Sequence, residues 1–239
     1  MPRPSTDSTS DPLAWLTGLE GVPSAFAATR DGIDVLLRDR GLRRTSPEQT
    51  AESLLRGARA SAVLAGSTSS LGDVRAGAGD EVAAGAVRVS TELLSLVPVI
   101  GRSPLQAFAR LHVVAGGFGQ PGSAEGAERL RALSSTLLAT SAPALVVAAL
   151  VHADLAAGTP FGTHDGIVAR AAERLVMVAR GVDPASVVVP EAGHLALRAE
   201  YESNLRGYRD GGRAGVHSWL LYAAEAQTKG SEASPLLER

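Results

Sequence analysis

The sequence predicts a mainly α-helical protein of one domain, and three observations carry that expectation. Apolar residues recur at i, i+3, i+4 spacing along most of the chain. Gly and Pro stops fall between those segments. Strand-like runs are confined to "LHVVAG" at 111–116 and "SVVVP" at 186–190, both short and isolated by turn residues.

In chain order, residues 1–12 are polar and read as a flexible tail. "SAFAATRDGIDVLLRDRG" places Phe26, Ile33, Leu36 and Leu37 on one helical face and stops at Gly41. "SPEQTAESLLRGARASAVLAG" opens with Ser46 as N-cap, Pro47 at the first helical position and Gln49 to close a capping box. Further helices are expected near 80–97, 103–112, 124–140, 143–157, 166–180, 196–209 and 213–227. A small β-hairpin is expected near 112–120. No repeat or linker divides 13–228, and 229–239 reads as a second flexible tail.

Composition removes several function classes. With 239 residues, 45% hydrophobic and 20% charged, the chain can bury a substantial core and is not wholly disordered. A formal net charge of −2 offers no electrostatic footprint for nucleic acid or an acidic membrane surface, so neither is an expected partner. With no cysteine there is no disulfide, thiolate metal site or cysteine nucleophile, which fits a reducing compartment. Lys229 is the only lysine, which excludes a P-loop lysine and a Schiff-base lysine within the domain. The start has no apolar core of a signal peptide. "PALVVAALVHADLAA" meets His152 and Asp154 before the ~18 apolar residues of a membrane span. A cytoplasmic location is therefore expected. The Ala, Gly, Arg and Val bias fits a GC-rich, bacterial genome.

"LHVVAGGFGQPG" holds Gly117, Gly119 and Gly122 in the spacing of a dinucleotide-binding turn, which would imply NAD(P) and an oxidoreductase. Three features oppose it. Pro121 has no amide to offer a pyrophosphate. Asp154 lies well beyond the ~20-residue spacing of the ribose-binding acid. Too few strands are present to build a parallel sheet.

The stretch that carries chemistry is "VHADLAAGTPFGTHDGIVARAAERL", residues 151–175. A glycine-broken loop runs into an apolar helix that starts at Asp165, read as the N-cap, and stops at Gly181 and Pro184. Such a helix start aims unpaired backbone N–H groups at the loop and favours an anion. Arg170, one turn in, adds positive charge, either to hold that anion or to pair with Asp165 or another carboxylate.

These residues resemble the Fic (Fido) domain motif H-P-F-x-(D/E)-G-N-G-R-x-x-R. Pro160, Phe161, Gly166 and Arg170 match it. His152 stands seven residues before the motif start, on a preceding helix that also holds Ala148, as in the family. Upstream, Ser61 to Gly66 has the spacing of the family's inhibitory segment, with Ala65 at its glutamate position. Residues 111–122 fall where the family has its target-docking flap. The resemblance covers roughly residues 46–227 and implies a helical domain that uses ATP with Mg²⁺ to modify a protein hydroxyl.

It also implies that the chemistry has been lost. The family's base, a histidine, is Thr159, and losing a general base costs ~10²–10⁴ in rate. The metal-binding acid is Thr163, the first glycine is His164, the asparagine is Asp165 and the first arginine is Ile167. Ala65 cannot pair with Arg170 as the inhibitory glutamate would. Candidate phosphate contacts are thus Thr163, His164, Asp165, Gly166 and Arg170; Ser61, Ala65 and Gly66 remain of the inhibitory segment. His164 is the one candidate for a relocated base, with Asp165 as its partner, and Thr159 has no evident base beside it. His152 reads as a hydrogen-bonded core histidine. His112, His194 and His217 show no metal-ligand spacing, so no metal site is expected. The function expected is a catalytically degenerate module, with no cofactor, that binds a protein partner in the groove beside the flap. A divergent nucleotidyl or phosphoryl transferase is the alternative, and self-association stays open.

Overall fold

The computed structural model describes residues 11–38 and 45–238, and within them the chain is helical with no strand. The α-helices are α1 (Val22–Leu36), α2 (Pro47–Leu64), α3 (Leu71–Arg75), α4 (Glu81–Leu93), α5 (Val97–Ile100) and α6 (Pro104–Ala115). They continue with α7 (Ala124–Ala139), α8 (Ala144–Gly158), α9 (Asp165–Ala179), α10 (Pro190–Ala196), α11 (Arg198–Asp210) and α12 (Gly212–Glu232). The tail at 1–10 and the stop at Gly41 lie outside the described residues.

The centre is the pair α8 and α9, antiparallel about the loop 159–164. α8 buries residues on every face, from Leu145 to Leu155, because its sequence is apolar all round. α9 is buried from Ile167 to Val178 with Arg170, Glu173 and Arg174 inside. Helices α11, α12 and α1 cover the α8 side, and α4, α5 and α6 pack on α9. Ser46 and Gln49 form the expected capping box, with Ser46 N–H donating to Gln49 Oε1 at 3.0 Å.

Both strand expectations are corrected. Residues 111–115 complete α6, where Ala107, Phe108, Leu111, His112 and Ala115 are buried at helical spacing. That burial outweighs the β-propensity of Val113 and Val114. The small β-hairpin flap is therefore absent, and an irregular loop follows Gly116, which ends α6 at φ 119°. The run 186–189 is irregular, with Ser186 at φ 52°, and pairs with no strand among the described residues. Val188 N–H donates to Asp183 Oδ2 at 2.7 Å, and Val189 N–H to Gly230 O at 3.0 Å. Buried amides are satisfied there by a side chain and by the end of α12.

Two helices and the ends of the chain also differ. α10 is an extra helix begun by Pro190, and it breaks before α11. α12 runs on to Glu232, and Pro235 and Leu236 beyond it are buried. Asp11 accepts from Thr140 Oγ1 at 2.8 Å, so order begins before residue 13. Residues 81–100 are long and apolar enough by composition to cross a membrane, yet a 3-10 turn at Leu94–Leu96 interrupts them. Val89, Leu93, Leu96 and Ile100 from this stretch belong to the core.

At Gly193 of α10 an added Cβ would overlap the carbonyl oxygen of Ala226 in α12, so the two backbones touch. Gly193→Ala is expected to lower stability by about 1–3 kcal/mol through overpacking, read as a lower urea midpoint at unchanged m-value.

Candidate functional site

The loop 159–164 turns the chain from α8 into α9 through three positive-φ residues: Thr159 (42°), Gly162 (77°) and His164 (56°). A β-branched residue in the left-handed region is strained, so Thr159 is held there by its surroundings. At 164 the backbone has a conformation that glycine adopts without cost.

Asp165 is the first residue of α9, and the N-cap is His164, whose side chain makes no capping bond. The expected Asp165 cap is thus displaced by one residue. Its buried carboxylate turns back into the loop and accepts the Phe161 N–H at 2.9 Å. Burial raises its pKa above the ordinary carboxylate value, while N–H groups of Phe161 and Gly162 pull the other way. An internal carboxylate therefore sits where the loop amides and the helix start would receive an external anion.

Arg170 is 2% exposed and points into the core. Its Nε donates to Ser61 Oγ and its Nη2 to Ser61 O, both at 2.9 Å, and Nη1 donates to Tyr201 OH at 3.1 Å. Among the described residues it pairs with neither Asp165 nor another carboxylate. Ser61 is buried near the end of α2, Ala65 is the C-cap and Gly66 follows at φ 98°. The structure thus brings Ser61 and Arg170 together, by the hydroxyl and carbonyl of Ser61. Gly166 is half-buried, and a Cβ there would come within 3.2 Å of Arg170 Nη1. Ile167 is 3% exposed and packs in the core.

The loop following α6 closes over the 159–164 turn. Gly122 N–H donates to Pro160 O at 2.9 Å, and a Cβ on Gly122 would lie 2.8 Å from Phe161 O. His112 fastens the two loops, a role its sequence position did not signal. Its ring stacks on Phe161 at 4.2 Å, its Nδ1 accepts Gly119 N–H at 3.2 Å, and its Nε2 lies 3.1 Å from Thr163 Oγ1. With Nδ1 accepting, Nε2 carries the proton and Thr163 is the acceptor. Burial lowers the His112 pKa, consistent with this neutral ring.

His164 is exposed, its ring 6.0 Å from that of His112, and it makes no hydrogen bond to Asp165. A Cβ on Gly116 would lie 3.5 Å from His164 Nε2 and 3.7 Å from Arg88 Nη2, so these two side chains border the same glycine. Thr159 is exposed on the loop. An apolar cavity of about 340 Å³ between α1 and the start of α8, lined by Val22, Phe26, Pro143 and Leu145, shares no residue with this site. The turn that a dinucleotide needs does not arise, because a helix precedes Gly117.

Behind the site lies a polar cluster that sequence spacing did not reveal. His152 (α8) and His194 (α10) contact one oxygen of Glu173 (α9), with Nδ1 of His152 at 2.6 Å and Nε2 of His194 at 2.7 Å from Oε2. All three are 0% exposed. His152 Nε2 lies 3.0 Å from Tyr201 OH, and His194 Nδ1 lies 2.8 Å from Tyr222 OH. Gln227 Nε2 donates to Glu173 Oε1 at 2.9 Å. An ionised carboxylate only accepts, so one N–H of each imidazole points at Glu173 and the other nitrogen accepts from a tyrosine. Burial, reinforced by His194, lowers the His152 pKa to about 4 and leaves a neutral imidazole. Burial alone would raise Glu173, but the two imidazoles outweigh it and hold Glu173 below the usual carboxylate range. The members stand 21 residues apart on three helices, a spacing no local motif rule reads.

Compared with models of known protein families and with curated proteins, the chain matches none.

Proposed function

We propose that the chain is a catalytically silent Fic-like domain that acts by binding a protein partner. The observation that carries this reading is the internal occupation of the candidate anion site. Asp165 takes the Phe161 amide, and Arg170 is spent on Ser61 and Tyr201. With the Phe161 amide and the Arg170 guanidinium already paired, the site has less left to hold a triphosphate. The threonine at 159 supplies no base.

The partner surface proposed is the loop 116–123 with the adjoining face of α6. Phe118 at its tip is 90% exposed, and Leu105 and Val113 on α6 are 42% and 43% exposed. An aromatic side chain displayed in this way is the residue type that anchors interfaces. The transferase alternative requires Arg170 to leave Ser61 and Tyr201 and His164 to work without a carboxylate partner.

Incubation of the full chain with labelled ATP, Mg²⁺ and a cell lysate tests the reading. No label is expected on any lysate protein or on the chain itself. Label that appears with the wild type and vanishes with Arg170→Ala would establish the transferase.

A further inference from the structure

We propose that His152, Glu173 and His194 form a buried site for a divalent first-row transition metal, zinc foremost. This inference does not depend on the Fic-like reading. Nδ1 of His152, Nε2 of His194 and a Glu173 oxygen all lie within 4.8 Å of one another, on side chains from three helices that are fully buried. Two imidazoles and one carboxylate are a donor set for zinc or iron(II), and the nitrogen donors disfavour Ca²⁺ and Mg²⁺.

The outer shell is the second observation. Metal-ligating histidines almost always engage their other ring nitrogen, and ligating carboxylates their other oxygen, in orienting hydrogen bonds. Here Tyr201 holds His152, Tyr222 holds His194 and Gln227 holds the second oxygen of Glu173. Oε1 of Gln227 is itself buried without a hydrogen-bond partner, a spare oxygen in the same cluster. Bonds of about 2.0–2.1 Å to a tetrahedral ion set its donors about 3.3 Å apart. The pairs at 2.6 and 2.7 Å reach that by shifts of a few tenths of an ångström on each side.

Ligation needs each donor nitrogen free of its proton, and a change of tautomer supplies that: the His152 proton moves from Nδ1 to Nε2 and the His194 proton from Nε2 to Nδ1. The Tyr201 and Tyr222 hydroxyls then turn from donating to accepting and keep their protons, Tyr201 accepting from Arg170 as well. The Glu173 carboxylate, at 2.6 and 2.7 Å from the two rings, supplies the negative charge nearest the ion. Because the donors are fully buried, loading occurs as the chain folds.

The test is to unfold the full chain with a chelator and refold it with Co²⁺ or Zn²⁺. Metal retained after desalting is then measured, with the Co²⁺ visible spectrum. About one equivalent is expected, with a nitrogen-ligated Co²⁺ spectrum. The sequence holds five histidines, so a variant with His112, His164 and His217 replaced by Ala keeps only the buried pair and should bind one equivalent too. His194→Ala should lose the metal. If that variant does not fold, Tyr222→Phe, which removes only an outer-shell partner, should weaken affinity ~10–100-fold. Elemental analysis of the protein as expressed separates zinc from iron. Less than about a tenth of an equivalent on refolded wild type would overturn the proposal and leave a purely hydrogen-bonded core. Metal lost in the triple-histidine variant, or kept in a folded His194→Ala, would overturn it equally.

Discussion

A chain carrying Thr159→His, Thr163→Asp, His164→Gly and Asp165→Asn, with Ser61→Ala and Tyr201→Phe to remove two of the three bonds that hold Arg170, is expected to transfer label from ATP where the wild type does not. The control is the same chain with Thr159 retained. The histidine should raise the rate ~10²–10⁴-fold over that control, the contribution of a positioned general base. The backbone favours these changes. Position 159 sits at φ 42°, which histidine tolerates better than a β-branched residue, and position 164 sits at φ 56°, where glycine is unstrained. Asp165→Asn removes the negative charge beside the loop amides, while its Oδ1 can still accept the Phe161 N–H. Ile167 is left alone, because at 3% exposure an arginine there would be buried without a partner. Equal rates with and without the histidine would detach position 159 from any base role.

Arg174→Leu is the substitution expected to cost most stability, about 3–5 kcal/mol out of the 5–15 typical of a domain. Arg174 is 1% exposed and grips Glu191 with two nitrogens, Nε to Oε1 at 3.0 Å and Nη2 to Oε2 at 2.6 Å. Its Nη1 donates to Ser53 Oγ and Ser186 Oγ at 3.1 and 3.2 Å. One side chain thus ties α2, α9, α10 and the irregular 186–189 run together. Removing it leaves the Glu191 carboxylate buried and unpaired. Removing both charges, in Arg174→Leu with Glu191→Leu, should cost less than the single change, because no orphan ion remains. Chemical denaturation of the three chains reads the order. A single variant as stable as the wild type would show the pair to be dispensable.

The helical class was legible because buried residues follow the 3.6 period, as Val22, Phe26, Thr29, Ile33 and Leu36 do in α1, and because caps such as Ser46–Gln49 are local. The hairpin was misread because Val113 and Val114 favour strands, while the long-range burial of Phe108, Leu111 and His112 decides the matter. In the candidate site, the order Thr159 to Arg170 could be read along the chain, since the whole turn lies between two consecutive helices. Where Arg170 points could not, because Ser61 and Tyr201 come from α2 and α11. The His152–Glu173–His194 cluster was invisible for the same reason. Its one local trace is a glutamate amid the apolar positions of a helix expected to be buried, where a charge needs partners.

Calorimetry of the wild-type chain with ATP and Mg²⁺ tests the central claim most directly, that the Phe161 and Gly162 amides and Arg170 are already occupied from within. The expected result is no binding tighter than millimolar. Micromolar affinity that disappears in Arg170→Ala would contradict it.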